Sequence, residues 1–289
     1  MAKIAAVILN YNDKNRVLAL AKLLLSYNTF SIIVLSDNSG ELEKNSNIMS
    51  NSNILILENG ENLGYCKGSN AAFSFIDQKY PDIDYLLEIN SDVYVAKEVI
   101  KELITFLDKN LSYAIVGARM LEYGLEKASY YNFPTLLSSI NDNLYINRLI
   151  HKKAKPNSVF TNYIDVDYIR SSLILMRRSY LKEVNYWDNE IFLYYGECAL
   201  ALKLKEKNYH EAILTSFTYN HNHLYHTKND VNGYKDSCKS LRYIFKKYYN
   251  YSKIKIFLYN GSCFVGLILL KAIHLIRFVF SKRYRKKIK

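Results

Sequence analysis

The sequence predicts an α/β fold: a mostly parallel sheet with helices on both faces, followed by a C-terminal amphipathic helical extension. Three observations point there. Short apolar runs alternate with amphipathic stretches along the first half of the chain, the signature of strand–helix–strand units. Three of those runs end in small polar residues rather than in charged linkers: Asn10-Tyr11-Asn12, Asp37-Asn38-Ser39 and Asn90-Ser91-Asp92. Charge is also unevenly placed. Residues 242–289 hold thirteen Lys and Arg and no Asp or Glu, while residues 1–241 hold 26 basic and 27 acidic side chains. The expected organisation is therefore a nearly neutral domain over 1–241 and a cationic segment over 242–289.

The elements follow in order. AAVILN, ending at Asn10, reads as a buried strand, and Asp13 is placed to cap a helix with Val17, Leu18, Ala21, Leu24 and Leu25 on one face. Ser31–Asp37 and Asn53–Glu58 are the next strands. A glycine-rich turn leads into a helix over about Lys67–Tyr80. Tyr85–Ile89 is a fourth strand, Ala96–Leu107 an amphipathic helix and Tyr113–Ala118 a fifth strand. Tyr130–Ser158 reads as a loop with one short helix. Ile169–Arg178 is a strand running into a helix, Tyr186–Tyr195 an aromatic loop, and Gly196–Lys207 a helix. No repeat or low-complexity linker divides this stretch, which reads as one continuous domain.

An apolar fraction of 49% in 289 residues argues against disorder. Cys66, Cys198, Cys238 and Cys263 form no Cys-x-x-Cys pair, which excludes a zinc knuckle or redox dithiol of that spacing. The apolar run Ile4–Leu9 is too short for a signal peptide, so a reduced, cytoplasmic setting is expected.

In parallel sheets, ligands bind beyond the carboxyl ends of the strands. Taken singly, each small polar strand end is equally a turn or a cap, because Asn, Asp and Ser favour both. All three on one edge point instead to a site. ENLGYCKGSN, Glu61–Asn70, adds Gly64 and Gly68 beside a helix start, a place that suits a phosphate but matches neither a Walker loop nor a dinucleotide fingerprint.

The order VILNYN, LSDNSG, ENLGYCKGSN, LLEINSDVYV, the Arg170–Tyr209 segment and HNH resembles the family-2 glycosyltransferases of GT-A fold, in particular their bacterial polysaccharide, rhamnosyltransferase-like branch. The resemblance spans about Ile4–Lys246. It implies transfer of a sugar from a nucleoside-diphosphate-sugar, dTDP- or UDP-linked, with a divalent cation (Mn²⁺ or Mg²⁺). Asn90-Ser91-Asp92 stands where that family carries its DxD motif, so Asp92 would hold the cation and Asn90 sit beside it. A hard cation favours carboxylate oxygen and needs few protein ligands once phosphates join it. Asp37 matches the position that meets the nucleobase. Asn10, Asn62 and Gly64 match positions lining the nucleotide pocket, with Lys67 and Asn70 nearby. Glu197 aligns with the general base, although Gly196 and Glu197 replace the usual Glu-Asp pair and Ala199 fills a further acidic position. Asp188 matches an acceptor-site residue. Of His221, His223 and His226, His221 is the first candidate at the metal and His223 the second.

The tail carries FVGLILLKAIHLIRFVF, broken at spacing three by Lys271, His274 and Arg277. The apolar spans between these charges are too short to cross a bilayer. A helix lying in the membrane interface fits, with KRYRKKIK against anionic headgroups, and so does a helix docked on the protein body. The expected enzyme is thus cytoplasmic and peripheral at the inner face of the cell membrane, acting on a lipid-linked glycan. A catalytically inactive relative that binds glycan or membrane is the alternative. No nucleic-acid motif accompanies the basic tail.

Overall fold

The structure, a computed structural model, describes residues 2–42, 52–146, 161–222 and 231–287, with side chains through 276. The chain runs β1 (Ile4–Asn10), α1 (Lys14–Ser26), β2 (Ile32–Asp37), β3 (Ile54–Glu58), α2 (Gly64–Lys79), β4 (Tyr85–Ile89), β5 (Val93–Tyr94), α3 (Lys97–Lys109) and β6 (Tyr113–Glu122). Then come β7 (Leu125–Lys127), β8 (Tyr130–Tyr131), α4 (Leu136–Asn143), β9 (Tyr163–Val166), β10 (Tyr168–Ile169), β11 (Leu173–Arg177) and α5 (Arg178–Glu183). The last elements are α6 (Gly196–Glu206), β12 (His210–His221), α7 (Val231–Lys247) and α8 (Lys253–Lys287).

The main sheet has the order β3-β2-β1-β4-β11-β6-β12-β5, with β7 on β6 and β9 on β12. β1 is parallel to β2 and to β4, and β2 to β3, as the alternating pattern predicts. β1, β2 and β4 are buried almost throughout, which is why they read as continuous apolar runs. β11 enters between β4 and β6 and is antiparallel to both. The connection into it runs through β9 and β10 and a turn rather than directly from a helix. α1 seals the sheet with Val17, Leu20, Ala21 and Leu24, and α3 with Val99, Ile100, Leu103, Phe106 and Leu107.

The chain forms two compact units: residues 1–133 with 159–224, and residues 134–158 with 225–289. The first carries the sheet. In the second, α8 packs on α4 and α7. Ile256, Tyr259, Ser262 and Leu270 face inward from α8, while Ile254, Phe257, Leu258, Phe264, Val265, Ile268, Leu275 and Ile276 lie exposed. α8 continues unbroken past Lys271 and His274. Its Lys253–Ile276 segment, 24 residues at mean hydropathy 1.8, is long and apolar enough to cross a membrane by length and composition, a length that counting only the gaps between charges had missed.

Candidate functional site

Because β1, β2 and β4 are parallel neighbours, their polar ends emerge on one edge of the sheet. Asn10 and Asp37 stand opposite each other in register. Asn10 Nδ2 donates to Asp37 Oδ1 at 2.8 Å and to Ser39 Oγ at 2.9 Å. Asp37 also accepts the backbone N–H of Ser39 at 3.0 Å and of Leu42 at 2.8 Å, and the Ser39 hydroxyl at 3.0 Å. Burial pushes the Asp37 carboxyl up, but these donors outweigh it and hold the group below the usual carboxylate range. Asp37 is thus an ionised anchor that folds the following loop back over the edge.

The glycine turn lies beside it. Asn62 Oδ1 accepts the Gly64 N–H at 3.0 Å, and Asn38 Nδ2 donates to the Gly64 carbonyl at 2.9 Å. Gly64 has φ +77°, and a Cβ there would meet Phe192 at 2.5 Å. The close approach that this glycine permits is therefore to the Phe192 backbone, whose carbonyl accepts the Tyr65 N–H at 2.8 Å. α2 begins here, at Gly64 rather than Lys67, and Lys67 is exposed in its first turn. Asn70 points the other way. Its Nδ2 donates to the Trp187 carbonyl at 3.0 Å and to Asn189 at 2.8 Å, and its Oδ1 accepts the Trp187 N–H at 3.1 Å. Asn70 pins the 187–189 loop, in which buried Asp188 accepts the Glu190 N–H at 3.0 Å.

Asn90, Ser91 and Asp92 turn the chain from β4 into β5. The Asn90 N–H donates to the Ser172 carbonyl at 3.0 Å, and its carbonyl accepts from Val93 at 3.1 Å. The Ser91 hydroxyl donates to Asp13, which also pairs with Arg16 at 2.7 Å. Asp13 occupies the N-cap position of α1, yet its side chain makes no cap bond, because Arg16 and Ser91 have claimed it. β5 pairs antiparallel with the end of β12, setting Val93 opposite His221. That pairing brings His221 Nε2 to 2.9 Å from Asp92 Oδ1. His221 is 1% exposed, and its Nδ1 lies 3.3 Å from Met120 Sδ. His223 and His226 fall outside the described residues. No group of three or more His, Cys, Asp or Glu among the described residues is arranged to hold a metal. One carboxylate oxygen beside one imidazole nitrogen still suits a divalent ion that draws its other ligands from phosphate and water.

Glu197 sits in the first turn of α6. Its Oε1 accepts the Ser171 hydroxyl at 2.6 Å and the Ser171 N–H at 3.3 Å, while its Oε2 accepts no hydrogen bond from the described residues. The preceding Tyr194 and Tyr195 both adopt left-handed backbone, φ +62° and +60°, a conformation that costs energy outside glycine. Gly196 is a matter of space: a Cβ there would lie 2.6 Å from Cys66 Sγ. Ala199 is fully buried, so an acid there would lose its water.

Sequence reasoning missed three participants. Ser171 gave no signal. Glu88, in the middle of β4, is 2% exposed and accepts from Ser69 Oγ at 2.5 Å and from Trp187 Nε1 at 3.0 Å. Burial pushes its carboxyl up to about 7. Glu211 of β12 accepts the Ile169 N–H at 2.9 Å, and burial pushes it well above the usual range. An acid inside an apolar strand was the available signal for Glu88.

A sequence profile described as glycosyl transferase family 2 matches residues 5–203. The chain belongs to that family. This glycosyltransferase resembles the solved GalNAc-T7 with UDP, GalNAc and Mn²⁺ at TM-score 0.58 and 12% identity, over 86% of this chain and 49% of that one. It resembles S. aureus TarS 1–349 at TM-score 0.50 and 16% identity, over 85% of this chain and 72% of that one. At such identities the likeness is one of fold, and the chain spans about half the length of the GalNAc-T7 chain. No curated protein sequence matches the glycosyltransferase. The α/β architecture and glycosyltransferase membership expected from the motif order are both borne out.

Proposed function

We propose that this glycosyltransferase is an inverting, metal-dependent enzyme. It moves rhamnose or another hexose from a dTDP- or UDP-sugar to a hydroxyl of a lipid-linked glycan during assembly of a bacterial surface polysaccharide. The catalytic domain lies within residues 1–241. Residues 242–289 attach it to the inner face of the cell membrane, which the exposed apolar row of α8 and the cationic tail support. The observation that carries the reading is the Asp92–His221 contact at the sheet edge.

The roles are assigned from the motif positions, with the geometry as support. Asn10, Asn62, Gly64, Lys67 and Asn90 border the edge that receives the nucleotide, and Asp37 shapes its base side through the loop that it anchors. Asp92, with His221, would hold a Mn²⁺ or Mg²⁺ ion, which supplies positive charge beside the diphosphate. Glu197 Oε2 takes the proton of the acceptor hydroxyl while Ser171 holds Oε1 in place. The acceptor oxygen bonds to the anomeric carbon as the bond to the diphosphate breaks.

Calorimetric titration with UDP, dTDP and GDP, each with Mn²⁺ and with EDTA, tests this. One nucleotide binds, its affinity collapses in EDTA, and Asp92→Ala abolishes the metal-dependent part in a folded protein. Folded protein that binds no nucleotide refutes the reading in favour of an inactive relative.

A further inference from the structure

Within the second unit, α7 and α8 line an open cavity of about 340 Å³. Lys235, Lys239 and Arg242 line it from α7, at steps of four and three residues that put all three on one helix face. Asn260, Phe264 and Leu267 line it from α8. None of the three cations forms an ion pair among the described residues, and the single acid of α7, Asp236, does not pair with them. Lys235 and Lys239 are exposed and Arg242 half-buried, so the three gather positive charge at the mouth of this groove, where a bound anion would offset it. Beside the cavity, the exposed row of α8 continues through Phe264, Val265 and Ile268. A soluble anion makes no use of that row. An amphiphile places its charge among the cations and its chain along the helix.

We propose that this cavity binds the terminal phosphate of a membrane lipid, a phosphomonoester or diphosphate with its apolar chain lying along Phe264 and Ile268. A phosphomonoester carries close to two negative charges at neutral pH and exposes three acceptor oxygens, matching the three donors better than the single charge of a phosphodiester. This rests on the membrane-associated reading above and gives that reading a specific headgroup.

The test is flotation of the full chain with phosphatidylcholine vesicles containing either phosphatidic acid or phosphatidylglycerol at matched negative charge. It compares the wild type with Lys235→Gln/Lys239→Gln/Arg242→Gln. A control, Lys246→Gln/Lys253→Gln/Lys255→Gln, removes equal charge from exposed positions of the same helices. The wild type prefers phosphatidic acid by about tenfold. The cavity variant loses that preference and the control keeps it, while nucleotide titration is unchanged in both. Equal binding to the two vesicles, or a preference that survives in the cavity variant, overturns the site and leaves membrane association standing. No binding to any vesicle overturns the membrane reading and the site together. Glycerol phosphate displacing the protein at concentrations comparable to the vesicle lipid overturns the lipid assignment in favour of a soluble phosphate.

Discussion

Gly196→Ala should destabilise the protein, and Cys66 should be the reason. A Cβ at 196 lies 2.6 Å from Cys66 Sγ and 3.6 Å from Trp187 Cε3. The favourable range for such contacts begins at about 3.5 Å, so the sulfur must retreat by roughly 1 Å. It has nowhere to go: Cys66 is 0% and Trp187 2% exposed. Overpacking of this kind costs about 1–3 kcal/mol. The replacement recovers up to about 1 kcal/mol of helix propensity, which leaves a net loss of about 1–2 kcal/mol. Urea denaturation followed by the fluorescence of Trp187, the single tryptophan of the chain, reads this locally. In a Cys66→Ala background the clash is gone and only the propensity gain remains, so the same change should be neutral to slightly stabilising, giving a coupling of about 1–3 kcal/mol. An equal cost in both backgrounds, or a stabilised single variant, refutes the argument. The acid usual at this position in the resembling enzymes would then be missing for a reason other than space.

Glu88 has a folded-state pKa of about 7 against an ordinary 4.5, raised by burial, so its ionisation is disfavoured in the fold. Its contribution to stability is present below about 4.5 and is lost as pH rises through about 7, an effect of about 3 kcal/mol. Glu88→Gln should flatten that part of the stability–pH curve, as measured by denaturation from pH 4 to 8, and an unchanged slope counts against it. Glu197→Gln should lower the transfer rate at least about a hundredfold with nucleotide affinity intact. Ser171→Ala, which leaves the carboxylate unheld, should lower it about tenfold. A fall in nucleotide affinity instead would relocate both residues to the donor side. Under native alkylation read by mass spectrometry, Cys263, whose thiol is lowered by the hydrogen bond from Cys238, should react first. Cys66 and Cys198, pushed up by burial, should stay unmodified until the protein unfolds. Early labelling of Cys66 would contradict its packing against α6.

The parallel half of the sheet was readable because strands buried on both faces are unbroken apolar runs, and their polar ends had to share an edge. The antiparallel entry of β11 was not readable, since the apolar pattern of Leu173–Arg177 is the same in either direction and only the connection decides. Asp92 stood out as a carboxylate at a strand end. Its neighbour His221 was found by motif order alone, because β5, the two-residue strand that joins them, is too short to leave a pattern. Asn70 and Asp13 show the limit most clearly. Both lie beside the expected site, yet Asn70 turns to the backbone of Trp187 and Asp13 to Arg16 and Ser91. Helical spacing tells which face a residue occupies, but not which of several partners will claim a short polar side chain. Glu88 lay in plain view within YLLEI and read as one more strand residue, since its partners Ser69 and Trp187 come from a helix and a loop that only the fold brings together.

The two-sided apolarity of α8 also bears on the protein once it is isolated. One face is sealed against α4 and α7, and the opposite row, from Ile254 to Ile276, has no covering among the described residues. No single medium satisfies both faces. In plain buffer the bare row drives chains toward one another, whereas a detergent that relieves it also competes for the docked face. The molar mass found by light scattering will therefore report the amphiphile present as much as the protein. Turnover should therefore be compared with and without lipid at several protein concentrations.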